Sequence, residues 1–132
     1  MHRLLKRGAS ACCVATLLSA PAVLAGFTTE SANCYKNADG SGRCYGSLLG
    51  FRNHAGANTQ AYFSRSSNAT PFFYAALTTG ATTAYFSCTP DAMTGAHWSK
   101  AMNHEGYFSI FWSAAGDCYS LFLINGSQYS NF

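Results

Sequence analysis

Hydrophobic and polar residues alternate along most of the chain after residue 30, with the period of two that is typical of half-buried β-strands. Turn pairs such as Asp39-Gly40 and Asn125-Gly126 interrupt this alternation at short intervals. Short turns join neighbouring strands in antiparallel order, so the pattern predicts an all-β, mostly antiparallel meander that forms a small barrel or sandwich. We predict about eight short strands, at Asn33–Asn37, Arg43–Phe51, Thr59–Arg65, Phe72–Thr78, Thr82–Cys88, Tyr107–Trp112, Cys118–Ile124 and Gln128–Asn131.

One segment departs from the alternation and has the features of a helix start. Thr89 offers a capping hydroxyl, Pro90 suits the first helical position, and Asp91 follows where the helix dipole favours an acid. Apolar residues then continue at helical spacing. The sequence therefore predicts one short helix near residues 90–103.

Alternation also assigns side chains to the two faces of the sheet. We expect the core to receive Phe63, Phe86, Phe108 and Phe122, together with Cys88, Cys118 and Ile124. The opposite face then carries a set of tyrosines, which combine an apolar ring with a hydrogen-bonding hydroxyl. Such a face suits binding to a glycan or a protein surface, although tyrosines of this kind also serve as ordinary covered packing. The predicted ligand-binding residues are Tyr62, Tyr85, Tyr107 and Tyr119.

The cysteines indicate a disulfide framework. Four of them follow residue 30, and an even number in an exported chain predicts two bridges with three possible pairings. We favour Cys34–Cys44, which brackets a hairpin with strong turn residues, and Cys88–Cys118, whose members fall on the predicted core face. Paired C-x₂-C motifs are absent, so we expect neither a zinc site nor any other metal.

The N-terminus has the pattern of a signal peptide at residues 1–25. Arg3, Lys6 and Arg7 precede an apolar run of about sixteen residues that ends with the small residues of Val23-Leu24-Ala25. The run is shorter than the roughly twenty residues needed to cross a bilayer, although an uncleaved anchor is the alternative. We therefore expect export, to a secreted or periplasmic location, of a single β domain at residues 26–132 with no transmembrane span.

Charge excludes one class of partner. The formal net charge of +3 comes from the three cations of the leader, since the rest of the chain carries five cations and five acids. Nucleic-acid binding requires a clustered basic face, and these five cations are scattered. We expect no nucleic-acid partner.

Candidate catalytic residues are few. The alternative to a non-catalytic recognition or structural role is a small secreted hydrolase that uses His97, His104 and Glu105 as acid–base groups. No nucleophile motif or Gly-rich phosphate loop supports this alternative, and no cofactor is implied. Asn68 and Asn125 begin N-glycosylation sequons whose use depends on the source.

Overall fold

The computed structural model of this chain describes residues 31–129, so the predicted signal peptide lies outside the described residues. It contains seven strands and three short helices. The strands are β1 (Ala32–Lys36), β2 (Gly42–Ser47), β3 (Gln60–Ser66), β4 (Ala69–Thr79), β5 (Thr82–Pro90), β6 (Tyr107–Trp112) and β7 (Asp117–Ile124). The helices are α1 (Leu48–Arg52), α2 (Ala92–Ala96) and α3 (Trp98–Met102), and a 3₁₀ turn follows at Ser127–Tyr129.

The seven strands form one sheet in the order β1-β2-β6-β7-β5-β4-β3. Every neighbouring pair is antiparallel except β5 and β7, which run parallel and share two residue pairs, Thr89 with Asp117 and Pro90 with Cys118. β1 and β3 stand at the two ends of the order, so the sheet is not a closed barrel. The predicted all-β, mostly antiparallel fold is confirmed.

The sheet is folded so that its two halves pack face to face. Phe108 of β6 lies 5.3 Å from Phe63 of β3 and 5.6 Å from Phe73 of β4, measured between ring centres. Phe86 of β5 and Trp112 of β6 are 6.0 Å apart in the same way. We call the two halves the β3–β4–β5 layer and the β1–β2–β6–β7 layer. The buried aromatic rings between them form the core, and each layer has an outer face.

Both predicted disulfides are confirmed. Cys34–Cys44 joins the paired strands β1 and β2, with Cα atoms 4.1 Å apart. Cys88–Cys118 joins β5 to β7, where the two layers meet. All four cysteines are buried. The second bridge therefore reinforces a strand contact that has only two residue pairs of its own.

The predicted strand Arg43–Phe51 ends early, at Ser47. The Ser47 hydroxyl accepts a hydrogen bond of 2.9 Å from the amide of Gly50, which is the capping interaction of a helix start. The following apolar residues form α1 and bury Leu49 and Phe51. An uninterrupted apolar run does not distinguish a buried strand from a buried helical turn, which explains the error.

Helical structure near residues 90–103 is confirmed, as two helices of five residues rather than one. β5 continues through Pro90, so Thr89 does not cap. Asp91 caps α2 instead, because its Oδ1 accepts a 2.7 Å hydrogen bond from the Thr94 amide. Trp98 opens α3, is 1% exposed, and donates its indole N–H to the Ser64 carbonyl at 2.8 Å. The helices thus cover one end of the core.

The predicted strand Gln128–Asn131 and its Asn125-Gly126 hairpin are wrong over the described residues. Residues 127–129 form a 3₁₀ turn in which the Tyr129 amide donates to the Gly126 carbonyl at 3.0 Å. Residues 130 and 131 lie outside the described part of the chain. Residues 31–129 therefore form seven strands where about eight were expected for the domain.

The predicted faces of β7 are inverted after its first residues. Phe122 and Ile124 were assigned to the core, but they are 57% and 49% exposed. Leu121 and Leu123 pack against the core in their place. The cause is a β-bulge: Trp112 pairs with Cys118 and Phe111 pairs with Ser120, so Tyr119 is an extra residue that reverses the alternation beyond it.

Candidate functional site

A row of three tyrosines crosses the outer face of the β3–β4–β5 layer. Tyr62 of β3 lies directly opposite Tyr74 of β4, with ring centres 5.2 Å apart. Tyr85 of β5 continues the row, 6.4 Å from Tyr74. Tyr62 is 41% exposed and Tyr85 67% exposed, while Tyr74 is half-buried between them. We call these three residues the tyrosine row.

Strand alternation produces the tyrosine row. Phe63, Phe73 and Phe86 point into the core and are each at most 8% exposed. Their neighbours Tyr62, Tyr74 and Tyr85 must therefore point outward. The sequence analysis identified the first and last of these tyrosines and missed Tyr74. The alternation along β4 could have predicted Tyr74, because Phe73 and Ala75 on either side of it point inward.

The surroundings of the row are polar but uncharged. The outward positions of the paired segments in this layer carry hydroxyl, amide, methyl or aromatic side chains, and no Asp, Glu, Lys or Arg. They are Gln60, Tyr62, Ser64, Phe72, Tyr74, Ala76, Thr78, Thr83, Tyr85 and Ser87. The Thr78 and Thr83 hydroxyls hydrogen-bond each other at 2.8 Å. Ala76 and Thr78 are buried, so the accessible part of this face offers the tyrosine rings and hydroxyl groups to a ligand. The cation of these strands is Arg65, which is exposed at the bulge of β3, outside the paired positions.

The other two predicted ligand-binding tyrosines lie on the opposite side of the domain. Tyr107 belongs to β6 and its ring centre is 5.3 Å from that of Tyr129. Tyr119 is the bulge residue of β7, 6.4 Å from the Phe111 ring. Both lie on the outer face of the β1–β2–β6–β7 layer. The structure therefore does not bring the four tyrosines together, and it separates them into two pairs.

The same outer face contains a feature that the sequence analysis missed. The Arg43 guanidinium carbon lies 4.5 Å from the centre of the Tyr45 ring and 4.6 Å from that of Phe111. Arg43 Nε also donates a 2.9 Å hydrogen bond to the Ser109 hydroxyl. Arg43 and Tyr45 are two positions apart on one strand, which is the only local signal. The other contacts depend on the pairing of β2 with β6.

Two of the three residues of the alternative hydrolase lie at one groove, and the third does not. His104 and Glu105 line a groove of about 450 Å³ with Leu48, Leu49, Arg52, Ala61 and Tyr129. His104 is buried, and its Nε2 donates to the Tyr107 carbonyl at 2.8 Å, because a carbonyl oxygen only accepts. That nitrogen is thereby occupied in holding the loop before β6. His97 lies exposed between α2 and α3 and does not line the groove.

Among residues 31–129 there is no group of three or more His, Cys, Asp or Glu side chains placed to hold a metal ion. No helix in this described part of the chain is long and apolar enough to cross a membrane.

Comparison with known protein families, curated proteins and solved structures found no match to this chain.

Proposed function

We propose that this protein is an exported recognition domain that binds an uncharged glycan through the tyrosine row. The observation that carries the proposal is the alignment of three tyrosine rings across three adjacent strands, on a face whose paired outward positions carry no charged side chain. The disulfides fit export, because such bridges persist in oxidising compartments.

The chemistry of the row suits sugars. The weakly polar C–H face of a sugar ring packs against an aromatic ring, and tyrosine adds a hydroxyl that bonds sugar hydroxyls. Centre-to-centre distances of 5.2 and 6.4 Å keep the three rings in one continuous surface. Since Tyr74 packs against both neighbouring rings, part of the side-chain freedom of the row is already lost before a ligand binds. Tyr85, with two thirds of its surface exposed, is expected to make the largest contact.

A binding assay with insoluble polysaccharides tests the proposal. The full chain is mixed with cellulose, chitin or a β-1,3-glucan, and the bound fraction is measured over a range of polysaccharide concentrations. We expect binding to at least one of them. Tyr85→Ser should weaken it about threefold to tenfold, the range of one aromatic contact. Tyr85→Phe, which keeps the ring, should retain most of the affinity.

Tyr119→Ser is the matched control, because Tyr119 is 50% exposed on the other outer face. It should bind as the unaltered chain does. Absence of binding to all three polysaccharides, or an equal loss in the Tyr119 and Tyr85 variants, would refute glycan recognition by this row.

A further inference from the structure

Arg43 lies on the outer face of the β1–β2–β6–β7 layer, between the rings of Tyr45 and Phe111. Within residues 31–129 no carboxylate lies within 4.0 Å of its nitrogens, so it has no ion-pair partner there. β1, β2 and β6 contain no Asp or Glu, and the single acid in the strands of this layer is the exposed Asp117 at the first residue of β7. Arg43 is thus a half-buried cation with no ion-pair partner on its own strand or on the two strands beside it.

The geometry leaves the two Nη groups of the Arg43 guanidinium available for binding. Arginine has five N–H donors, and here the Nε–H is bonded to Ser109. The Nη groups make no hydrogen bond to a side chain among the described residues. Two N–H groups of a guanidinium match the two oxygens of a carboxylate. The two flanking rings already restrict the side chain, so a carboxylate meets a positioned receptor rather than a mobile one.

The surface around Arg43 is mainly apolar. Phe122 is 57% exposed with its ring centre 6.2 Å from that of Phe111, and Ile124 is 49% exposed on the same strand. Tyr35 pairs with Arg43 across β1 and β2 and is 46% exposed. Two nearby hydroxyls already have partners, since Ser109 accepts from Arg43 and Tyr45 accepts from Asn33 at 3.0 Å.

We infer that this face is a docking surface for a protein partner that presents an Asp or Glu carboxylate, flanked by apolar side chains, to Arg43. Arginine and aromatic residues are enriched at the centres of protein interfaces. The unpaired charge specifies the partner by complementarity. The inference does not depend on the glycan proposal, because the two outer faces belong to different layers.

Short capped peptides test this inference by NMR on the full chain. The probe is an aspartate between leucine and phenylalanine, and its matched control has asparagine in place of aspartate. We expect the aspartate peptide to shift the Nε–Hε resonance of Arg43 and the ring resonances of Phe111 and Phe122. The asparagine peptide should bind about tenfold more weakly, because a charge-assisted pair is lost.

Variants separate this site from the tyrosine row. Arg43→Lys keeps the charge but loses the paired N–H donors and the ring stacking of the planar guanidinium, and should weaken aspartate-peptide binding about tenfold. Phe122→Ser, which leaves Arg43 in place, should weaken it about threefold. Tyr85→Ser should leave it unchanged while it lowers polysaccharide binding. Equal affinity for both peptides, no shift at Arg43, or preferential binding of a glucuronic-acid oligosaccharide at Arg43 would each overturn the inference.

Discussion

The two disulfides should contribute unequally to stability, and their comparison tests how the layers are held together. Cys88–Cys118 joins strands that share two residue pairs, whereas Cys34–Cys44 joins strands that share five. The perturbation is the double variant Cys88→Ala with Cys118→Ala. Its comparison is the double variant Cys34→Ala with Cys44→Ala. Alanine avoids placing new polar groups at these buried positions.

The expected magnitudes follow from the lengths of the closed loops. A sequence separation of 30 for Cys88–Cys118 corresponds to about 3.6 kcal/mol of unfolding free energy in the chain-entropy treatment. A separation of 10 for Cys34–Cys44 corresponds to about 2.7 kcal/mol. Each variant removes two buried sulfur atoms, so the packing losses are similar and largely cancel in the comparison. The Cys88/Cys118 variant should therefore be about 1 kcal/mol less stable than the Cys34/Cys44 variant.

Urea unfolding followed by tryptophan fluorescence measures both losses. Trp98 and Trp112 are each at most 2% exposed and report on the core between the layers. Total stabilities of about 5 to 15 kcal/mol leave both variants with a measurable transition. The reasoning is refuted if the Cys34/Cys44 variant is the less stable one.

Two other predictions concern single positions. The Ser41 hydroxyl and amide donate to Asp39 at 2.7 and 2.9 Å, and they lower the pKa of that carboxyl below its ordinary 3.8. Because the pKa of Asp39 is lower in the folded chain than in the unfolded chain, this stabilisation is present above about pH 4 and is lost as the pH falls through the folded value. Ser41→Ala should raise the pKa of Asp39 in a carboxyl-carbon NMR titration. An unchanged pKa would contradict the assignment. Gly46 has a φ of 142°, and an added Cβ would overlap the Ser31 carbonyl, so Gly46→Ala should cost about 3 kcal/mol or more in unfolding free energy. Gly80→Ala is the control, because Gly80 also has a positive φ of 60° but open space around it. We expect Gly80→Ala to lower the free energy of unfolding by about 1 kcal/mol. Equal losses of unfolding free energy in the two variants would show that the close approach of Gly46 to Ser31 is unimportant.

Sequence patterns predicted those parts of the fold that depend on local order. The two-residue alternation of apolar and polar positions predicted both ends of β6 correctly. It predicted the ends of most other strands to within one or two residues. The cysteine pairing followed from a hairpin and from a shared face. The helix α1 was missed, because Leu48, Leu49 and Phe51 read equally well as the end of a buried strand. Its start depends on one hydrogen bond from Gly50 to Ser47.

The candidate sites were less predictable, because both depend on which strands are neighbours. Tyr62 and Tyr85 become one surface only when β4 places Tyr74 between them. Arg43 is held by Phe111 and Ser109, which are more than sixty positions away along the chain, as the separation of 66 to Ser109 shows. No periodicity within a single segment contains that information.

The bulge at Tyr119 shows how one residue decides the character of a surface. Without an extra residue at that point, Phe122 and Ile124 would point inward like Cys118. Leu121 and Leu123 would then point outward. With it, Leu121 and Leu123 pack on the core, Phe122 lies beside Phe111, one of the two rings that hold Arg43, and Ile124 is exposed further along the same face. The bulge therefore exchanges two apolar pairs: the core receives Leu121 and Leu123, and the outer face presents Phe122 and Ile124 in their place. The exposed aromatic ring next to Phe111 at the proposed docking face is a consequence of this exchange.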